Sequence, residues 1–190
     1  MKLKIYSPFK GLGGFVLLLF LSASAFAQEE YVKPGQVVEK NKAPGMKVKL
    51  LNETGKGHKT FLVVLNRGDD VLSGLTQFAE DNHITFAHFT GIGAVSSARM
   101  GAYDRAKQMY HILPVKSQAE TISFIGNIAL FNDQPVVHIH MAVSQSDGTV
   151  KGGHLFQAIV WPTLEIVVTV EPIAISKTKE ANTGFALIDF

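Results

Sequence analysis

The stretch PVVHIHMAVSQSDGTVKGGHLFQAIVW, from Pro135 to Trp161, constrains this chain more than any other. It sets His138 and His140 one residue apart in a run that is otherwise Val, Ile and Met, then passes Asp147-Gly148 and Gly152-Gly153 before reaching His154. Side chains two apart along an extended strand share a face, so a strand here places both imidazoles on one side. An Asp-Gly pair is a strong reversal signal, and a reversal between Ser144 and Gly153 can return His154 to their side. Buried imidazoles without partners cost roughly 1–3 kcal/mol each, so something must satisfy them. Three neutral imidazoles meeting at one point suit a divalent transition metal, zinc above all, with one coordination position left open. The alternative is a structural one, in which carboxylates or water satisfy the rings in a polar network that stabilises the sheet or a subunit contact.

The chain contains no cysteine. Disulfides and thiolate ligands are therefore excluded, and a metal has to rely on His, Asp or Glu. Glu120 opens the apolar run ETISFIGNIAL and is the candidate further ligand or catalytic acid, although a solvated position serves it equally well. Asp147 is explained by its turn. Lys151, Arg99 and Arg105 are the candidates for holding an anionic substrate. Of the other histidines, His88 sits mid-strand between Ala87 and Phe89 and could face inward, whereas His58, His83 and His111 read as ordinary surface or core residues. The chain has no G-x-S-x-G elbow, Walker loop or dinucleotide fingerprint, which leaves metal-activated water as the most plausible chemistry if a reaction takes place.

Around this segment the pattern is one of short strands. Met46–Leu51 alternates apolar and basic residues as a half-exposed strand does, and Lys59–Arg67 follows as a more buried one after the Gly55–His58 turn. Leu72, Leu75, Phe78 and Ala79 recur at helical spacing, which predicts one clear helix over Val71–Asn82, capped by Asp69 or Asp70. The Arg67-Gly68-Asp69 tripeptide reads as this strand-to-helix junction. Strands are expected at Ile84–Thr90, where Gly91 and Gly93 interrupt, then at Ala98–Tyr103, Gln108–Leu113, Glu120–Leu130, Pro135–Val143, His154–Val160 and Leu164–Val170. Gly126 inside one of them signals a bulge or a close backbone approach. The pattern weakens from Ile173 onward, where Ala186–Phe190 adds at most a short edge strand. The expected class is α+β: a mostly antiparallel sheet, a barrel-like sandwich, with one main helix packed on it.

The beginning of the chain reads as a secretory leader. Lys2, Lys4 and Lys10 precede the apolar run Phe15–Leu21, and Ala25-Phe26-Ala27 offers a cleavage site before Gln28. The apolar run is short for a membrane span of roughly 20 residues. The expected organisation is a signal peptide over 1–27, a polar flexible segment over 28–45, one domain over 46–172 and a C-terminal extension over 173–190, with export to a periplasm or beyond. The formal charge of the whole chain is +2, from 18 basic and 16 acidic residues; removing the leader's three lysines leaves 15 against 16. Such a near-neutral chain lacks the bulk electrostatic footprint of a nucleic-acid binder. About 160 residues are enough for one good core.

The run ETISFIGNIAL, then VVHIHMAVSQSDGTVKGGHL, then LEIVVTV, preceded by TGIGAVSSARMGAYD, resembles the PPC domain, the plants-and-prokaryotes conserved domain, over roughly Lys59–Val170. The resemblance implies a sheet-and-helix subunit that assembles as a homotrimer. In plants this domain follows AT-hooks in nuclear DNA-binding proteins, but the hook core Arg-Gly-Arg-Pro is absent here and an exported protein would not meet the chromosome. More remotely, the pattern is similar to acetolactate decarboxylase, a zinc enzyme, and of its ligands His138, His140 and His154 find a match here. Fold kinship does not supply a function. Two readings follow: an exported metal-binding trimer acting on or binding a small polar ligand, and an assembly module with structural histidines and a protein or nucleic-acid partner.

Overall fold

The computed structural model describes residues 29–35 and 42–190. The expected signal peptide therefore lies outside the described residues. What is described is one mostly antiparallel sheet system with a single helix, in keeping with the expected class.

Two long strands run through it. β4 (Phe86–Asp104) and β8 (Val150–Val170) pair antiparallel from Ala87 opposite Val170 to Gly101 opposite His154. Each covers two of the expected strands, and neither breaks where its turn-forming residues suggest. Gly91 and Gly93 leave β4 unbroken because they are there for proximity: a Cβ at Gly93 would lie 2.2 Å from the Thr163 carbonyl oxygen, and one at Gly91 3.0 Å from that of Glu165. On the other side of β4, where pairing lapses between Thr90 and Ala94, the buried Thr121 hydroxyl takes over. It accepts from the Gly93 N–H at 2.8 Å and donates to the Gly93 carbonyl at 2.9 Å.

The remaining strands hang on this pair. β6 (Ala119–Phe131) lies along the first half of β4 and β5 (Met109–Val115) along the second. β7 (Gln134–Ser144) pairs with β6 and, at its far end, with the start of β8. On the other half of β8 lies β3 (Lys59–Asn66), with β2 (Lys47–Glu53) outside it, and β1 (Tyr31–Val32) borders β5. The sheet curls through the β4–β8 pairing, yet β1 and β2 end its path as edges, so it is sandwich-like and not a closed barrel. β2 departs from the half-exposed strand expected of it. Val48, Leu50 and Leu51 are all exposed, because β3 is the strand's single partner and β2 has no buried face.

The helix α1 (Val71–Asp81) packs on β7 and β8 and buries Val71, Leu75, Phe78 and Ala79. Asp70 is its cap, accepting from the Ser73 N–H at 2.8 Å, and Asp69 instead ties down the preceding loop by accepting from the N–H groups of Gly45 and Asn66. Beyond Ile173 the chain forms a hairpin, β9 (Ser176–Lys179) with β10 (Ala186–Asp189). It docks on β6 through Leu130 opposite Ser176, with the Leu130 N–H donating to the Ile175 carbonyl at 2.9 Å. The core is continuous between sheet and helix, with Val63, Leu65, Phe78, Met100, Ile128 and Leu164 among its sealed members.

Gly126 resolves as a close approach. A Cβ there would meet the His138 carbonyl oxygen at 2.2 Å and the Phe89 ring at 2.4 Å. We expect Gly93→Ala and Gly126→Ala each to destabilise the fold by about 1–3 kcal/mol or more, as overpacking against backbone does. Gly55→Ala, whose Cβ would meet nothing within 4 Å, should leave the urea midpoint level or slightly raised.

Candidate metal centre

The three histidines come together because of one reversal and its register. Gly148 takes a positive φ of 80° in the β7–β8 turn, Asp147 accepts from the Thr149 N–H at 2.9 Å, and the Gln145 N–H donates to the Thr149 carbonyl at 2.9 Å. This turn sets His140 directly opposite His154 across the β7–β8 pair. His138, two residues back on β7, shares their face. The ring centroids stand 5.1 Å apart for His138–His140, 5.1 Å for His138–His154 and 6.0 Å for His140–His154. One nitrogen from each ring lies within 4.8 Å of the others. Tetrahedral zinc with bonds of about 2.0–2.1 Å sets its nitrogens about 3.4 Å apart, so small rotations of the rings would complete such a site.

The surroundings favour neutral imidazole. Burial is the main cause that brings His138 down from 6.5 to about 4, with the Lys177 ammonium and His140 adding to it. His154 falls likewise to about 4 through burial, then the charges of His138, His140 and Lys177. Neutral rings are the form a metal requires. Tyr110 stacks on His154 at 5.0 Å and Phe156 meets its edge at 4.9 Å, which fixes the ring's plane. Its Nδ1 is sealed from solvent and has no hydrogen-bond partner. An orphaned buried nitrogen of this kind is costly, and a bound cation is one partner that would satisfy it. Asn127 stands opposite His138 across the β6–β7 pair, and its buried Oδ1 also lacks a partner.

A cleft of about 770 Å³ opens onto His138 and His154 between the sheet, α1 and the C-terminal hairpin. Tyr110, Leu72, Phe185 and Lys177 are among its walls. The other candidates from sequence lie elsewhere. Glu120 is exposed and pairs with Ser144, four residues along β7 from His140, so it stands outside the histidine group. Lys151 reaches the Pro114 carbonyl at 3.2 Å, Arg99 pairs with Glu30, and neither they nor Arg105 line the cleft. His88 is exposed, 4.0 Å from Glu171, and His58 bonds the same carboxylate at 2.9 Å. His111 stacks on Tyr31, and His83 takes a positive φ of 52° just after the helix. The cations that do reach the cleft from the hairpin, Lys177 and Lys179, were missed by the sequence reading. The alternation Ser-Lys-Thr-Lys over 176–179 was the available signal, since in a strand it puts both lysines on one face.

An antiparallel α+β subunit with three convergent histidines on two neighbouring strands defines the class of domain. The chain belongs to the Plants and Prokaryotes Conserved (PCC) domain family, which matches residues 52–172. Solved structures agree. It is similar to a plant- and prokaryote-conserved (PPC) protein from Pyrococcus horikoshii, with 28% identity over 76% of this chain and 95% of that one, TM-score 0.64. A metal-containing protein from Archaeoglobus fulgidus is 30% identical over 76% of this chain and 98% of its own, TM-score 0.64. A protein from Bacteroides thetaiotaomicron proposed to bind DNA is 26% identical over 75% and 97%, TM-score 0.68. No curated protein matches the chain.

The histidine pKa values set a pH dependence. Between pH 6.5 and about 4 the unfolded chain binds protons that folded His138 and His154 refuse. Stability of the metal-free protein should therefore fall as the pH drops through that window and level off, for these groups, below about 4. Urea midpoints across the window check this, and a His138→Gln/His154→Gln double variant should give the flatter profile.

Proposed function

We propose that this is an exported PPC-domain protein that works as a homotrimer and holds a divalent ion, zinc by preference, on His138, His140 and His154. The observation that carries the reading is the convergence of three imidazole nitrogens within 4.8 Å, with the Nδ1 of His154 buried and otherwise unpartnered. The metal-containing relative from Archaeoglobus fulgidus supports it, and an all-nitrogen donor set with no thiolate suits zinc. Three protein ligands leave a position for a small polar ligand, toward which the ion would supply Lewis acidity. The chain's own residues supply the rest: Tyr110 and Phe156 hold the His154 ring, and Asn127 stands opposite His138 across the β6–β7 pair.

Assembly draws support from surface left uncovered on the subunit. Ile92, Ile122 and Ile125 are 69%, 58% and 54% exposed, and Ile125 is the cross-strand neighbour of His140. Apolar patches of this kind mark interfaces. The leader-like beginning of the chain supports export, and with it a setting away from the chromosome.

Purified protein should contain about one zinc-like ion per subunit by mass spectrometry, and the His138→Ala/His140→Ala variant none. Loss of trimer without any metal in either protein would favour the structural-histidine reading. A strongly salt-dependent DNA affinity would favour the DNA binding proposed for the Bacteroides thetaiotaomicron relative. Ile122→Asp/Ile125→Asp should reduce the trimer to smaller species in sedimentation velocity while leaving the far-ultraviolet circular dichroism unchanged.

A further inference from the structure

The C-terminal hairpin brings a cation to the histidine centre that the expected fold does not account for. Lys177 is only 8% exposed, and no carboxylate among the described residues forms an ion pair with it. It lies on β9 opposite Ile188, and Lys179, two residues on, shares its face and lines the same cleft. The ammonium of Lys177 acts on both His138 and His154, and burial is the one influence that lowers its own affinity for protons. A lysine this far withdrawn from water, its charge bearing on His138 and His154, gains from an anion in the cleft. The two acids on the cleft wall do not provide one. Asp70 caps α1 through the Ser73 N–H and Glu80 is exposed at the other end of that helix. The wall is mixed: Leu72, Phe131, Val136, Val137 and Leu187 give it apolar surface, beside Ser73, Thr76 and Gln77 of α1. The hairpin lies beyond residues 52–172, the span the family model matches.

We propose that the cleft binds a small organic carboxylate with an apolar body, its carboxylate held by Lys177 and Lys179 beside the histidine centre and its body against α1 and β7. The proposal deepens the metal-centre reading and rests on it for one side of the pocket. An anion offsets the Lys177 charge, while a volume of about 770 Å³ with partly apolar walls exceeds what inorganic phosphate can fill.

Isothermal titration of the purified full-length protein with benzoate and octanoate tests this, with benzamide as the neutral counterpart, inorganic phosphate as the bodiless anion, and metal content measured on the same samples. Lys177→Met keeps the buried aliphatic stem and should weaken benzoate binding at least tenfold without changing metal content. Lys177→Arg should restore part of the affinity, Lys179→Met should weaken it less, and benzamide and phosphate should bind poorly to every form. Unchanged benzoate affinity in Lys177→Met, equal affinity for benzamide, or phosphate binding as tightly as benzoate would overturn the proposal. Failure of the metal reading would register separately: wild-type protein without metal that still binds benzoate through Lys177 sinks the metal centre and upholds the carboxylate pocket.

Discussion

The pairing of β4 with β8 is the interaction on which the rest of this subunit depends. Two strands of 19 and 21 residues lie against one another for most of their length, and every other described sheet element except β10 borders one of them or a neighbour of one. Long strands twist, and a pairing this long has to absorb the strain of coiling. Here the register shifts three times, and on the β6 side of β4, where pairing lapses between Thr90 and Ala94, the Thr121 hydroxyl fills both roles of an absent backbone partner. Glycines at 91, 93, 101 and 153 allow the backbones to come closer than any side chain would permit. At Gly153 a Cβ would stand 2.5 Å from the Gly101 carbonyl oxygen, immediately before His154.

The same closeness builds the centre. β8 approaches β7 only over its first few residues, and His154 falls at the last pair of that short ladder, opposite His140. A slip of one residue would turn His154 into the core and bring Leu155 out, since the two faces alternate. The core packing of Leu155 and Met141 thus locks the positions of the imidazoles beside them. Burial then keeps two of the rings neutral at physiological pH, so packing and ligand chemistry are set by one arrangement.

Much of this was legible in the residues. Period-2 alternation identified the strands, His138 and His140 shared a face by spacing alone, and Asp147-Gly148 announced the reversal that returned His154. The helix showed itself through its 3.6-residue spacing and an aspartate cap. Two misreadings share a cause. Gly91 and Gly93 looked like a break in β4, and Glu120 looked able to reach the centre, because spacing along one strand says nothing of how closely another strand passes or where along its partner a residue is seated. The hairpin carrying Lys177 was faint for a related reason: four-residue strands stabilised by docking carry little apolar pattern of their own.

By itself the amino-acid sequence determined which side chains could form a metal centre and that they would lie on extended, antiparallel elements. Both follow from local physics, the two-residue repeat of a strand and the backbone freedom of Gly at a turn. The tertiary structure alone decided that β4 and β8 are continuous, that Asn127, Tyr110 and Phe156 surround the histidines, and that a buried lysine from the last hairpin faces them. Those facts depend on contacts between residues distant in the chain. Their energies come from burial and pairing across strands, which exist only once the sheet has curled and brought its edges together.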